Sequence, residues 1–571
     1  MMKKTTVLSI LLLFALSIIA GNRSKKEMRD IAASALATYG VDGKVTRAHS
    51  IVEPKLESET GQYAIYSDEV GGFVIVSKRD DVRPVLGRSL GKYDAANIPD
   101  GLQWWLEATE AALKSGARAS EDADILKVSE PVDNFVTTLW KQSSPYNNLC
   151  PKDKNDNVCL TGCGATAMAM AINYFKYPDA GTGTGWYSVQ TPVNGADPII
   201  ESFDNVPIDG QYKWDKMKDS YSNNETAKEV ATLMFDCGKS VDMKYSASGS
   251  GSKCASIPHA LAYNFSYDSL SVNHYIRNYF SDKEWFTFVR NELENKRPII
   301  YSGTDLKNGG HTFLLTGINT DGMVYINWGW GGLANGWFAI DNLYIDKLGY
   351  YFAYNQEIVV GLNPQKTPAE GLENTSVWSF SPNYNFALSS NARNELLVNS
   401  FFIFNLSWRW FVGELRLIIE TEEETPKTSV IPFNDPGDYY YMAGYQGVGV
   451  SGGLNISQLL TESGKGTFKF PQGFYRVYFQ KKSVEESDWQ LIRKYGGNYY
   501  CYFSVAADGT VKVDNENSLS GIHDVIYSPA SNAPTTIYSI DGRKLDSTSS
   551  SNVVIMKNGK GIRKVISLWA K

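Results

Sequence analysis

The chain has 571 residues, a formal net charge of −7 at pH 7 and 20% charged residues. That length has room for about three or four domains. A hydrophobic content of 43% with 13% aromatic residues describes a globular protein and excludes a disordered one. The acidic balance and the lack of a long basic run argue against nucleic acid as a partner.

The first twenty residues have the pattern of an export signal. Lys3 and Lys4 precede an apolar stretch from Val7 to Ala20, and small residues follow at Ala20 and Gly21. This arrangement predicts a secretory signal peptide over residues 1–20. Later stretches are too short or too polar to predict a membrane span, so we expect an exported, soluble mature protein.

A small α+β module is predicted over residues 21–118. It has a helix at 24–40 with a capping box between Ser24 and Glu27, and a second helix that ends near Lys114. Strand-like runs lie between them, at Gln62–Tyr66 and Gly72–Ser77. The polar, acidic residues 115–131 predict an exposed linker. Two interpretations are open, an ordinary N-terminal domain and a propeptide.

The stretch around Cys163 carries the strongest chemical signal. Gly162 and Gly164 flank the cysteine, and an alanine- and methionine-rich run follows until Tyr177-Pro178. The run predicts a helix with Cys163 in its first turn. Because the positive end of the helix dipole favours an anion, we expect a lowered thiol pKa and a nucleophilic thiolate. A small cysteine buried at a helix start is the alternative.

Two further helices and a hairpin are predicted downstream. The helices span 224–236, stopping before Gly238, and 282–295, with a capping box between Ser281 and Glu284. The hairpin joins Gly309–Thr316 to Met323–Asn327 through Asp321-Gly322.

The hairpin offers partners for the cysteine. Among five histidines, only His311 lies beside a glycine pair at the start of a strand, and the hairpin brings it towards Asn327. Their midpoint precedes Asp321-Gly322, so a bulge or longer loop is needed to align them. A thiolate requires a base, and the base requires an orienting group that an asparagine can supply. Trp328 and Trp330 would shield that hydrogen bond, although structural histidines and core tryptophans are the commoner case.

The order Cys163, His311, Asn327 is that of papain, and the sequence closely resembles the streptopain family of bacterial cysteine proteases. The matching motifs are Trp140 with Pro145-Tyr146-Asn147, Thr161-Gly162-Cys163 with Ala165–Ala169, Lys176-Tyr177-Pro178, Asp236-Cys237-Gly238, Val241-Asp242-Met243, Gly309-Gly310-His311 and Asn327–Gly331. Gly72–Ser77 with Pro84–Gly87 resembles that family's propeptide. Gly164 departs from the larger residue that usually follows the nucleophile.

The resemblance implies a papain-like fold, endopeptidase activity and synthesis as a zymogen. It assigns the nucleophile to Cys163, the base to His311 and the orienting group to Asn327. We expect an α+β protein with a signal peptide at 1–20, an inhibitory propeptide at 21–118 and a papain-like protease domain at 119–364. Protein or peptide substrates and the chain's own propeptide are the expected partners.

The C-terminal part changes character. Short strands with turns between them predict a β-sandwich over 365–515. Residues 516–571, with Thr536–Lys544 and Val553–Met556, are similar to C-terminal sorting modules of type nine secretion. A plain edge hairpin is the alternative.

The expected reaction is hydrolysis of a peptide bond, with the backbone N–H of Cys163 in the oxyanion hole. Two alternatives stay open: a cell-wall peptide amidase, and a catalytically dead adhesin that binds through its sandwich. The sequence implies no cofactor or metal. Cys150 and Cys159 are candidates for a disulfide, Cys237 and Cys254 for a weaker second one, while Cys163 must stay free.

Overall fold

The computed structural model describes residues 21–37, 53–69, 72–116, 121–305, 309–341, 343, 354–365, 378–381, 384–423, 425–433, 438–461, 467–494 and 499–515, with four strands between 536 and 566. The predicted signal peptide and Arg118, in the linker, lie outside these residues. The chain divides into two compact units, Met1–Glu373 and Asn374–Lys571. Within the described residues, no helix has both the length and the apolar character needed to cross a membrane.

The first unit mixes helices and strands. Its helices are α1 (Lys25–Ala37), α2 (Asp100–Lys114), α3 (Cys163–Phe175), α4 (Lys228–Ser240), α5 (Ile257–Asn264) and α6 (Asp282–Glu294). Its strands are β1 (Lys55–Glu59), β2 (Tyr63–Ser67), β3 (Phe73–Ser77), β4 (Val85–Ser89), β5 (Thr184–Val193), β6 (Ala196–Pro207), β7 (Met243–Tyr245), β8 (Asn273–Ile276), β9 (Ile299–Asp305), β10 (Gly309–Ile318), β11 (Val324–Asn327), β12 (Gly336–Phe338) and β13 (Tyr354–Val360).

One ten-stranded sheet joins the N-terminal module to the central region. Its order is β1-β2-β3-β4-β12-β11-β10-β9-β13-β8, so β4 pairs directly with β12. In that pair Gly87 lies opposite Phe338, and a Cβ at Gly87 would lie 2.5 Å from the Phe338 ring. Glycine at this position therefore allows the two segments to form a continuous sheet.

Helix α3 forms the centre of the core of the central region. It packs against β10 and α4, and its residues from Gly164 to Asn173 are all buried. Small alanines and flexible methionines permit this close packing on every side. The helix begins at Cys163, as predicted, and ends at Phe175. Its C-cap is Lys176, which has a left-handed φ of 48° and precedes Tyr177-Pro178.

The local signals near helix ends have mixed outcomes. The capping boxes at Ser24–Glu27 and Ser281–Glu284 are both present, and α2 ends at Lys114 as predicted. The helix predicted at 224–236 is wrong at both ends, because α4 starts at Lys228 and passes through Gly238. A Cβ at Gly238 would lie 1.9 Å from the Tyr245 hydroxyl, so this glycine makes room for a neighbour and does not end the helix.

The segment predicted as an exposed linker is partly packed. Residues Glu121–Leu126 form a 3₁₀ helix, and Leu126 and Val128 are buried. Arg290 on α6 donates a hydrogen bond to the carbonyl of Ile125. The expectation of an exposed linker over 115–131 is therefore wrong at Leu126 and Val128, whereas residues 129–131 are exposed.

The second unit is rich in strands, as the sequence predicted. It contains β14 (Trp378–Phe380), β15 (Leu388–Ser390), β16 (Leu396–Val398), β17 (Phe401–Asn405), β18 (Phe411–Thr421), β19 (Thr428–Pro432), β20 (Tyr440–Met442), β21 (Gly447–Val450), β22 (Leu454–Asn455), α7 (Ile456–Leu459), β23 (Gly473–Ser483), β24 (Gln490–Leu491), β25 (Cys501–Val505) and β26 (Val511–Asp514). A seven-stranded sheet built on β18 and β23 faces two three-stranded sheets across an aromatic core. Burial alternates along β18 and β23, as it does in a sandwich.

The C-terminal strands form a separate antiparallel sheet. They are β27 (Thr536–Ser539), β28 (Lys544–Leu545), β29 (Val553–Asn558) and β30 (Gly561–Ile566), in the order β28-β27-β29-β30. This sheet is larger than the plain hairpin considered from the sequence. A sorting role for residues 516–571 stays a prediction.

Candidate active site

Cys163 is the first residue of α3, and a glycine fixes its position. Gly162 precedes it with a φ of 87°, in the left-handed region that side-chain-bearing residues rarely adopt. A Cβ at Gly162 would also lie 2.6 Å from Cε of Met243. The turn therefore presents Cys163 towards β10, where its Sγ lies 3.9 Å from the carbonyl oxygen of Gly310.

The thiol of Cys163 is not in the expected thiolate-favouring state. Burial raises its pKa above the ordinary value, and the nearby Asp100 carboxylate acts in the same direction. The N–H and hydroxyl of Thr312 and the N–H of Gly164 oppose the rise without cancelling it. The expectation of a lowered pKa is therefore wrong for this arrangement, in which the thiol keeps its proton at neutral pH.

The imidazole of His311 faces the start of α2. Its Nδ1 lies 3.8 Å from Oδ2 of Asp100, the first residue of α2. Phe313, two residues on, packs on the same face against Trp104 of α2.

Asn327 is buried, but the hairpin does not align it with His311. A bulge between Leu315 and Ile318 puts Leu314 opposite Asn327, three residues beyond the histidine. The Asn327 Nδ2 donates to the carbonyl of Thr138 at 2.8 Å, and Oδ1 accepts from the N–H of Gly329 at 3.1 Å. The predicted turn at Asp321-Gly322 is present, whereas the expected meeting of His311 and Asn327 stays a prediction.

Trp328 lies on the same face of the sheet as α2. Its ring packs against Phe313 and Phe338, and its Nε1 donates to the carbonyl of Ala334. A Cβ at Gly101 of α2 would lie 2.8 Å from Cε3 of Trp328, so the helix backbone rests directly on the indole. The ring is thus covered by α2, away from the Asn327 amide that it was expected to shield.

Helix α2 contributes residues that sequence reasoning did not connect to the site. Trp104 is buried against Phe313 and against Gly303, where a Cβ would lie 2.3 Å from the indole. Trp105 donates from Nε1 to the carbonyl of Ala339. The sequence marked a helix here, but nothing in its pattern singled out Asp100 as the residue that faces His311.

The predicted disulfides are absent among the described cysteines. All six cysteines are free thiols: Cys150, Cys159, Cys163, Cys237, Cys254 and Cys501. Burial raises the pKa of Cys150 to about 12 and that of Cys159 to about 11, which disfavours their thiolate forms. The expectation of a Cys150–Cys159 bridge, and of the weaker Cys237–Cys254 bridge, is therefore wrong.

One group of side chains could hold a metal ion. Cys254, His274 and Glu357 place one ligand atom each within 4.8 Å of one another. The sequence gave no sign of this group, because its members are far apart along the chain and lack any ligand spacing.

Comparisons with known proteins find similarity to cysteine peptidases. Residues 140–338 match the sequence model of the Peptidase C10 family. The chain is 30% identical over 344 residues to the thiol protease/hemagglutinin PrtT of Porphyromonas gingivalis, across 55% of this chain and 38% of that protein. It is 29% identical over 323 residues to streptopain of Streptococcus pyogenes, across 52% of this chain and 80% of streptopain. This chain thus spans well under half the length of PrtT.

Two solved structures from Prevotella intermedia are also similar. A fragment of prointerpain A is 31% identical, with a TM-score of 0.47, over 55% of this chain and 99% of the fragment. Active interpain A cysteine protease is 35% identical, with a TM-score of 0.34, over 42% of this chain and 97% of that one.

The central region is therefore a cysteine-type peptidase domain. More narrowly, residues 140–338 are similar in sequence to the peptidase C10 family. The motif around Cys163 lies inside the matched segment, and so do His311, Asn327 and Trp328.

Proposed function

We propose that the chain is an exported cysteine endopeptidase, synthesised as an inactive precursor, that hydrolyses peptide bonds in proteins. The observation that carries the proposal is Cys163 at the N-terminus of α3, facing β10, within a segment that matches a cysteine peptidase family. The names of the relatives support it, since PrtT is a thiol protease and interpain A a cysteine protease.

In the active form, the Cys163 thiolate attacks the carbonyl carbon of the substrate. His311 takes the thiol proton and delivers it to the leaving amine, which leaves an acyl-enzyme that water hydrolyses. The backbone N–H of Cys163 stabilises the oxyanion, and the Asn327 amide orients the imidazole. Asn327 pairs with Leu314, whose side chain belongs to the core around α3, so its amide lies on the face that Cys163 uses.

We expect the precursor to be inactive because α2 contacts His311 and covers Trp328. Asp100 interacts with the imidazole, Gly101 covers Trp328, and Trp104 fills the space over Gly303. Removal of residues 21–118 would uncover these groups and let the start of β10 rearrange, bringing His311 to Cys163. Of the chain's segments, residues 1–20 act as the signal peptide, 119–364 as the protease domain, 365–515 as the sandwich and 516–571 as a sorting-like module.

The proposal is tested with purified precursor and generic protein substrate. Wild type should shorten with time and then digest casein, whereas Cys163→Ala should do neither. Cleavage of cell-wall peptides in place of casein would make the protein an amidase. Failure to react with the epoxide inhibitor E-64 after processing would leave only a binding function.

The inhibitory role of α2 has its own test. Asp100→Asn removes the charge that faces His311, and it should shorten the lag before casein digestion severalfold. Glu107→Gln, on the same helix, is the matched control and should keep the wild-type lag. Equal lags in Asp100→Asn and wild type would contradict the role given to Asp100.

A further inference from the structure

A second cluster of reactive side chains lies at the far edge of the ten-stranded sheet. Cys254 begins a 3₁₀ helix, His274 lies on the edge strand β8, and Glu357 lies on the neighbouring β13. His274 is opposite Val359, and Ile276 is opposite Glu357. This register places His274 and Glu357 diagonally on one face, so their side chains meet.

The carboxylate of Glu357 is oriented from both sides. Asn355 Nδ2 donates to Oε1 at 2.7 Å, which leaves Oε2 to face His274 Nε2 at 2.9 Å. Hydrogen bonds of this kind, from a side chain that is not itself a ligand, are what hold metal-ligating carboxylates in place.

We propose that Cys254, His274 and Glu357 bind a zinc ion, with water as the fourth ligand. Thiolate, imidazole and carboxylate are the three ligand types that zinc takes in proteins. Zinc–ligand bonds of about 2.0–2.3 Å at tetrahedral angles hold neighbouring ligand atoms about 3.3–3.6 Å apart. The three ligand atoms now lie within 4.8 Å of one another, so small side-chain movements suffice.

Charge and access both suit a divalent cation. A Cys254 thiolate and the Glu357 carboxylate carry two negative charges, and zinc neutralises both in a buried place where unpaired charge is costly. Cys254 and His274 are 7% and 4% exposed, whereas the Glu357 side chain keeps 20% of its surface. The ion therefore enters from the side of Glu357.

Bound zinc would connect parts of the domain that are far apart in sequence. Cys254 leads into α5, while β8 and β13 belong to the sheet. The ion would therefore stabilise the folded state, because an unfolded chain does not bring these ligands together. The Cys254 thiol is close enough to Cys163 for the two to interact electrostatically. The cluster does not use Cys163 as a ligand, and the proposal does not depend on peptidase activity.

The test uses the full-length Cys163→Ala precursor, which cannot digest itself or bind metal through the active-site thiol. After treatment with EDTA, it is titrated with zinc chloride by calorimetry and with cobalt chloride by absorption spectroscopy. We expect one zinc per chain, a higher melting temperature with zinc, and a thiolate-to-cobalt charge-transfer band. Adding Cys254→Ala should abolish the band, and adding His274→Gln or Glu357→Gln should weaken zinc binding at least tenfold.

Matched controls separate this site from nonspecific binding. Cys501→Ala removes another buried thiol, and His259→Gln removes an exposed imidazole that stacks on Tyr263. Both should keep wild-type zinc affinity. Glu357→Gln changes no volume, so its far-ultraviolet circular dichroism should match that of its parent. An absence of zinc binding by the Cys163→Ala protein, or binding unchanged by both Cys254→Ala and Glu357→Gln, would overturn the proposal.

Discussion

At the scale of single residues, His311 and Asn327 have different predicted roles that mutation can separate. His311→Ala removes the proton carrier and should lower casein hydrolysis by about 10³-fold or more. Asn327→Ala leaves the base in place and misorients it, so a loss of about 10²-fold is expected. Processed enzyme is assayed under initial-rate conditions. Equal, near-complete losses in two folded variants would contradict the orienting role, and His259→Gln should stay fully active.

Replacing Asn327 should also lower the stability of the fold, which the sequence did not reveal. Its side-chain amide is hydrogen-bonded to the carbonyl of Thr138 and the N–H of Gly329. Asn327→Ala therefore leaves both of these buried backbone groups without that partner. Each such group costs about 1–3 kcal/mol. Urea unfolding of the Cys163→Ala precursor should therefore show a clear loss of stability in the double variant.

The raised pKa of Cys163 gives a test of the precursor state. Because burial raises that pKa, the thiol is protonated at neutral pH and should react slowly with iodoacetamide. The rate should increase as the pH rises through the raised pKa. After processing, pairing with His311 should move the midpoint to lower pH. Mass spectrometry of the Cys163 peptide measures both, and equal midpoints before and after processing would contradict the proposed rearrangement.

At the scale of elements, the contact between α2 and β9 can be disrupted from the side of the sheet. A Cβ at Gly303 would lie 2.3 Å from the Trp104 ring, so Gly303→Ala should push α2 outward. Overpacking of this kind costs about 1–3 kcal/mol. We expect faster processing of the precursor, measured by gel electrophoresis over time.

The control for Gly303→Ala is Gly473→Ala in the second unit, where the nearest atom to a new Cβ is 3.7 Å away. That variant should process at the wild-type rate. Slower processing of Gly303→Ala would show that α2 is not held against the sheet by Trp104.

The sequence predicted elements well where a local signal determines them. The capping boxes, the start of α3 at Cys163 and the turn at Asp321-Gly322 depend on neighbouring residues, and all are present. The sequence predictions failed where contacts between distant residues determine the ends of an element. Gly238 was taken as a helix end because its close neighbour, Tyr245, could not be seen.

The same distinction explains the site. The motif predicted Cys163, His311, Asn327 and Trp328 as site residues. The bulge after Leu315 and the packing of α2 determine where three of them lie. Neither feature leaves a pattern in the sequence. The cluster of Cys254, His274 and Glu357 was not predicted for the same reason, because the fold and not the local sequence brings its members together.

At the scale of the whole molecule, the packing around Leu126 and Val128 narrows the predicted cleavage site. Leu126 and Val128 are buried, and the carbonyl of Ile125 accepts a hydrogen bond from Arg290 of α6. A protease could therefore bind this segment in an extended form only after it unfolds locally. We expect cleavage between Gly116 and Asp122, which includes the bond after Arg118. Sequencing of the mature N-terminus checks this. A new N-terminus within residues 123–131 would contradict it.

The pairing of β4 with β12 means that cutting the chain and freeing the enzyme are separate events. The backbone hydrogen bonds of that strand pair persist after the linker is cut, so the nicked protein should remain one particle on a native gel while showing two bands in detergent. Loss of the N-terminal piece is then a dissociation equilibrium. Dilution favours the separated pieces, and high protein concentration favours the complex. We therefore expect the nicked enzyme to be inactive at high protein concentration and to become active when it is diluted into a large volume.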